Sequence, residues 1–136
     1  MSNNPAWLDD WAPKAHALLR IVAAYLFLQH GTAKLFGVPH VAMFDHVQLA
    51  SLIGVAGILE LVGGALILIG LFTRIAAFLL SGEMAVAYFM AHASQGHFLT
   101  PMLNEGELAV LYCFVFLFLA ASGPGAWSVD GTRIKR

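Results

Sequence analysis

The chain of 136 residues is 60% apolar and 11% charged, about half the charge of an ordinary soluble domain, so water is a poor solvent for most of it. A formal net charge of −1 offers neither a basic surface for nucleic acid nor an acidic, solvated tail. One cysteine, Cys113, excludes an intrachain disulfide and a multi-cysteine zinc site, so packing alone must hold the fold.

Asp9 and Asp10 precede the first base, Lys14, so the N-terminus lacks the basic region of a cleaved signal. The first apolar segment is therefore expected to stay as an anchor, with residues 5–11 lying along the interface as a short amphipathic segment. Four apolar stretches follow, at 17–36, 51–72, 75–92 and 105–121. At ~1.5 Å per residue the first two are long enough for a hydrocarbon layer of ~30 Å, and the third is just long enough. The fourth spans only if its helix starts near Glu105, which draws Glu105 and Glu107 to one surface.

These stretches lack the polar stripe of a soluble bundle helix. Gly54, Gly57, Gly63, Gly64 and Gly70 in the second read as positions where neighbouring backbones approach. The expected fold is all-α: one domain, 1–136, forming a four-transmembrane-helix bundle. Lys14, Arg20, Arg74, Arg133, Lys135 and Arg136 fall on one side, whereas the loops 37–50 and 93–104 contain no Lys or Arg. The positive-inside rule then places both termini in the cytoplasm. Trp7, Trp11 and Trp127 share that side, where indole rings favour headgroups. Arg20 is expected to snorkel to the inner headgroups, and Arg74 to do the same or to cap a helix end. In the outer loop, His40, Met43, Phe44 and His46 suit a short interfacial helix.

Charged groups inside a lipid-embedded bundle need a partner, a watered cavity or a function. The first span carries His30 and Lys34 four residues apart, on one helix face. Glu60 lies nine residues past Ser51, ~14 Å down the second span, and Glu83 lies near the middle of the third. His92, Glu105 and Glu107 sit toward the outer surface, and Tyr88 and Tyr112 occupy the outer halves of spans three and four. This loading of one leaflet points to an outward-opening polar pocket. Its candidate ligand-binding and proton-accepting residues are His30, Lys34, Glu60, Glu83, His92, Glu107, Tyr88 and Tyr112. The competing reading is that Lys34 or His30 pairs with Glu60 or Glu107 only to neutralise buried charge. The tyrosines and Cys113 also suit a plain packed core. His30, His92, His97, Met84, Met90, Met102 and Cys113 include soft ligands, yet no pair has a metal-ligand spacing, so no metal site is assigned.

The run His30-Gly31-Thr32-Ala33-Lys34-Leu35-Phe36-Gly37 resembles the opening signature of the DoxX family of small bacterial membrane proteins. Gly57-Ile58-Leu59-Glu60-Leu61-Val62-Gly63-Gly64 and Gly70-Leu71-Phe72-Thr73-Arg74-Ile75-Ala76-Ala77 are similar to its second helix and turn. Met84 through His92 resembles its third helix, Glu105-Gly106-Glu107-Leu108-Ala109-Val110-Leu111-Tyr112 its fourth, and Gly123-Pro124-Gly125-Ala126-Trp127-Ser128-Val129-Asp130 its tail. The resemblance covers about 18–130. It implies a multi-pass protein of the bacterial inner membrane, linked with thiosulfate:quinone oxidoreduction, membrane redox complexes and quinone-like or aromatic compounds. It transfers no catalytic residue, so the candidates above rest on the physical argument.

The chain shows no haem, flavin or iron–sulfur ligation pattern, so electrons would come from a quinone or a redox partner protein. The functional expectation is a quinone-like ligand in an oxidoreductase system. The alternatives are a binding or transport module for a small hydrophobic or anionic compound, and a structural subunit whose charges only pair helices. A homo-oligomer is compatible with each, and nucleic acid with none.

Overall fold

The computed structural model describes residues 5–133; Lys135 and Arg136, counted above in the basic tail, lie outside the described residues. The first helix, α1, runs Ala6–Phe36. It begins well before the apolar stretch, so residues 6–16 continue the helix rather than forming a separate interfacial segment. Pro13 lies within it, and its carbonyl receives the Ala126 N–H. Gly37 closes α1 in the left-handed conformation (φ 65°), where glycine carries no Cβ penalty. A single 3₁₀ turn, Ala42–Phe44, is all the helix that forms in the following loop.

The second helix, α2, spans Leu52–Ile69; Ser51 caps it by accepting from the Gly54 N–H at 3.1 Å, and Gly70 ends it. Residues 70–72 thus belong to a tight turn rather than to the apolar helix. The third helix, α3, covers Thr73–Ala87 and continues through a π turn, Tyr88–His92, and a 3₁₀ turn, Ala93–Gln95. The fourth, α4, is Glu107–Ser122. Glu105 adopts φ 58°, a left-handed conformation that cannot continue a helix, so α4 starts two residues later than expected. A last turn, α5, covers Val129–Arg133.

The four long helices pair in chain order. Leu28 lies against Gly64, and Gly31 against Gly57 and Leu61, so α1 and α2 run antiparallel. Arg74 meets Ala120 and Ala121 while Ser81 meets Cys113, so α3 and α4 do likewise. The α1–α2 and α3–α4 hairpins then join through α2 and α3, where Leu80 sits on Gly63. Phe27, Ile67, Leu80, Phe116 and Leu119 fill the core with almost no exposure.

Apolar side chains cover the outside as well: Phe78, Leu111 and Phe114 are more than 60% exposed. Leu52–Ile69 and Thr73–Gln95 are long and apolar enough to cross a membrane, and Glu107–Ser122 is a shorter apolar helix. Only 33% of each long apolar window is buried inside the molecule, the reverse of a core helix in water. The bundle has two unlike ends. The loop end holds residues 37–51 and 93–106; the turn end holds the α2–α3 turn and the C-terminal tail.

Candidate functional site

A charge cluster lies inside the bundle, toward its loop end. The buried stripe of α2 is Gly54, Gly57, Glu60, Gly64 and Ile67, so one carboxylate stands in a row of small residues. Those residues bring α1 close. A Cβ on Gly31 would lie 2.6 Å from the Leu61 nitrogen, and one on Gly57 would lie 3.0 Å from the Lys34 Cβ. This approach places the Lys34 Nζ 2.5 Å from the Glu60 Oε1, with side-chain exposures of 14% and 2%. A buried lysine reaching a buried glutamate at this distance is a charge-assisted hydrogen bond.

Glu60 Oε2 has no hydrogen-bond partner, nor does either carboxylate oxygen of Glu83, although all three atoms are buried. Leu80, three residues before Glu83, packs on Gly63, three residues after Glu60, so the antiparallel α2 and α3 set the two carboxyls at one level of the bundle. One ammonium therefore serves a level that holds two carboxyls. His30 sits one turn below Lys34, its ring centroid 6.2 Å from those of Phe27 and Tyr112. Tyr112 is buried and stacks on Phe116 at 5.7 Å. Each of the four long helices thus contributes: His30 and Lys34 from α1, Glu60 from α2, Glu83 from α3 and Tyr112 from α4. Above them, the Lys34 Nζ lies 5.5 Å from the centre of the Phe44 ring, at cation–π distance.

The other three candidates stand elsewhere. Tyr88 donates to the Phe98 carbonyl at 2.6 Å, and His92 Nδ1 pairs with the Asn104 carbonyl at 3.0 Å. Asn104, buried, joins them: its amide donates to the Tyr88 hydroxyl and to the carbonyls of Gly96 and His97, and its Oδ1 accepts from the Gly106 N–H. Tyr88 and His92 therefore tie down the 93–106 loop. The sequence signal for Asn104 is an Asx turn onto the glycine two residues on. Glu107 is exposed and borders a groove of about 600 Å³ with Pro101, Leu103, Val110 and Phe114. Lys34 is paired with Glu60, not Glu107. Among the described residues no cluster of three or more His, Cys, Asp or Glu is arranged to hold a metal.

The turn end handles charge differently. Arg20, expected to snorkel, is 0% exposed and donates to the carbonyls of Trp127, at 2.8 Å, and Ala126. The chain's own tail folds over it, so the guanidinium meets backbone instead of headgroups. Arg74 caps α4 through the carbonyls of Ala120 and Ala121. The Asp130 carboxylate accepts from the amides of Phe72, at 3.0 Å, and Thr73, at 2.9 Å. Burial alone would raise the Asp130 carboxyl, but these two amides, aided by Arg133, outweigh it and hold it below its ordinary value.

A model of the DoxX family matches residues 15–93, which include most of α1 and all of α2 and α3, with Lys34, Glu60 and Glu83. The chain belongs to the DoxX family. An uncharacterized protein of Haemophilus influenzae is 45% identical over 95% of this chain and 98% of its own length. The inner membrane protein YqjF of Escherichia coli is 30% identical, covering 86% of this chain and 90% of that protein. An uncharacterized membrane protein of Mycobacterium tuberculosis is 29% identical over 97% and 91%. No solved structure matches. This DoxX protein is accordingly a membrane protein, in keeping with its apolar exterior.

Proposed function

We propose that this DoxX protein is a four-span protein of the bacterial inner membrane with both termini cytoplasmic, so that the loop end faces outward, and that its charge cluster exchanges protons with a quinone-like molecule in an oxidoreductase system. The observation that carries the reading is the surplus carboxyl. Lys34 neutralises Glu60, and Glu83 is left with two buried oxygens and no partner. An ionised carboxylate in that setting is costly, so a proton is the simplest counter-charge, and a proton held there is available to a redox partner. Quinone reduction takes up two protons with two electrons; the cluster supplies proton sites and a redox partner protein supplies the electrons, whereas in the reverse direction the quinol gives its electrons to that partner and its protons to the cluster. His30 and Tyr112, edge-on to each other at the cluster, suit hydrogen bonding to a carbonyl oxygen. The groove beside Glu107, almost wholly apolar, suits a flat ligand arriving from lipid.

A second reading, proton-coupled binding or transport of a small hydrophobic or anionic compound, draws on the same pair of glutamates. Native mass spectrometry of the detergent-extracted protein, with quinol-dependent absorbance of the same sample, separates the two. The redox reading expects a retained quinone, and a quinol response that Glu83→Gln reduces about tenfold, the range of one general acid–base group or less. No retained quinone and no quinol response in the wild type, with compound flux that depends on Glu60 and Glu83, would replace it by the transport reading.

A further inference from the structure

The Lys34–Glu60 pair is closed on every side but one. Glu60 is buried in the glycine stripe of α2, and the residual exposure of the pair is on Lys34. Over that ammonium sits Phe44, half-buried in a run, 38–46, whose other residues are all exposed. The ring is carried by one 3₁₀ turn, held by the Phe44 N–H to the Val41 carbonyl at 2.8 Å, the Asp45 N–H to the Ala42 carbonyl and the Val47 N–H to the Phe44 carbonyl, each at 3.3 Å, and an exposed His40 Nε2–Asp45 Oδ1 contact at 2.8 Å. Just beyond, the chain is pinned. Gly54 packs against the backbone of Gln48 and Leu49, and the Ser51 hydroxyl bonds the Gln48 carbonyl. A recess of about 290 Å³ bordered by Ala42, Met43, His46, Gln48 and Ser51 opens on the other residues of the turn. An aromatic ring on one short turn, half-buried over the least enclosed member of a buried ion pair, has the construction of a gate.

We propose that Phe44 is that gate: its ring keeps water and hydronium at the loop end from reaching Lys34, Glu60 and Glu83, and displacement of the turn admits them. The inference rests on the proton-exchange reading of the cluster. Local opening of a single turn is the kind of low-cost fluctuation that exposed loops undergo, and the cation–π contact with Lys34 biases it toward the closed form.

Carbodiimides test it on the full-length protein in lipid vesicles, because they react with protonated carboxyls. A water-soluble carbodiimide added outside must pass the gate, whereas a lipid-soluble one arrives through the bilayer. Phe44→Ala, which removes the apolar plug together with a partly exposed cation–π contact, should raise labelling of Glu60 and Glu83 by the water-soluble reagent about tenfold. Phe44→Leu, which keeps an apolar plug, should stay within about threefold of the wild type, since the contact it loses is worth less when partly exposed. Phe44→Trp should label more slowly than the wild type. The lipid-soluble reagent should label all four proteins alike. Equal water-soluble labelling of the wild type, Phe44→Ala and Phe44→Trp, with lipid-soluble labelling intact, would overturn the gate and leave the proton site standing. If the lipid-soluble reagent modifies neither glutamate in the wild type, the proton site falls and the gate with it.

Discussion

At the turn end of the bundle charged side chains bond to backbone; in the cluster toward the loop end Lys34 and Glu60 bond to one another and Glu83 has no partner. Arg20 holds the carbonyl of Trp127, a residue at φ 51°, and Asp130 holds the amide of Phe72, at φ 50°. Bulky residues in the left-handed region cost of order 1–3 kcal/mol and persist only where the surroundings over-determine them. The turn-end charges therefore do structural work, pinning a strained turn and a tail. Arg20 Nε and Nη1 are also buried without partners, but that guanidinium still holds backbone through its other nitrogen; Lys34, Glu60 and Glu83 pin no backbone, and three of their four carboxylate oxygens have no partner. Polar groups kept in lipid without full satisfaction are the ones to suspect of function.

The largest expected effect comes from breaking the loop-end pair. Lys34→Met leaves Glu60 buried without its cation and should cost about 3–5 kcal/mol, as for other broken buried ion pairs. Lys34→Met with Glu60→Leu should recover most of that loss, measured by thermal or SDS unfolding in mixed micelles. If the double variant also retains proton exchange, Lys34 and Glu60 are only helix-pairing glue and the exchange belongs to Glu83 alone; if Glu83→Gln retains it too, the contrast between the two ends disappears.

A smaller effect should follow from spreading the helices that hold the pair. Gly31→Ala drives a methyl group against the Leu61 nitrogen and the Gly57 carbonyl. Backbone atoms cannot rotate away, so α1 and α2 must separate, at about 1–3 kcal/mol for overpacking of this kind. Gly82→Ala is the matched control. That position has open space around it, so the same added methyl group should leave the melting temperature unchanged or raise it slightly through the better helix propensity of Ala. Equal losses in both variants would mean that the α1–α2 approach is looser than the geometry requires.

These two ends were not equally legible in the sequence. Apolar length and glycine placement locate the helices, and four-residue spacing puts His30 and Lys34 on one face; both follow from local periodicity. The pairing of Lys34 with Glu60 rather than Glu107 depends on where α4 begins. That depends in turn on Glu105 turning left-handed beside Asn104, which periodicity does not report. The turn end is harder still. Asp130 caps a helix whose first residue lies 57 positions away, and Arg20 is covered by carbonyls 106 and 107 positions away. A side chain bonded to distant backbone leaves no pattern of residue types to read, so Arg20 looks like an ordinary snorkelling arginine until the tail is seen folded over it.

The smallest effect belongs to Asp130 and sharpens the structural assignment of the turn end. Its carboxyl is held below its ordinary value mainly by two amide bonds. The folded state thus binds a proton less readily than the unfolded chain, and the stabilisation is present above the unfolded pKa. It is lost as pH falls through the lower, folded value. Asp130→Ala should cost about 0.5–2 kcal/mol at neutral pH, as for loss of a helix N-cap. The difference between wild type and variant should shrink only when the pH falls below the ordinary carboxylate range. Asn, which keeps one accepting oxygen but no charge, should lose less than Ala and show no such pH dependence at this site. Because the phenotype is one of stability, proton exchange at the loop end should be unchanged in both variants once they are folded. A loss of exchange without a loss of stability would mean that the two ends are coupled, and that the tail senses what Lys34 and Glu60 do.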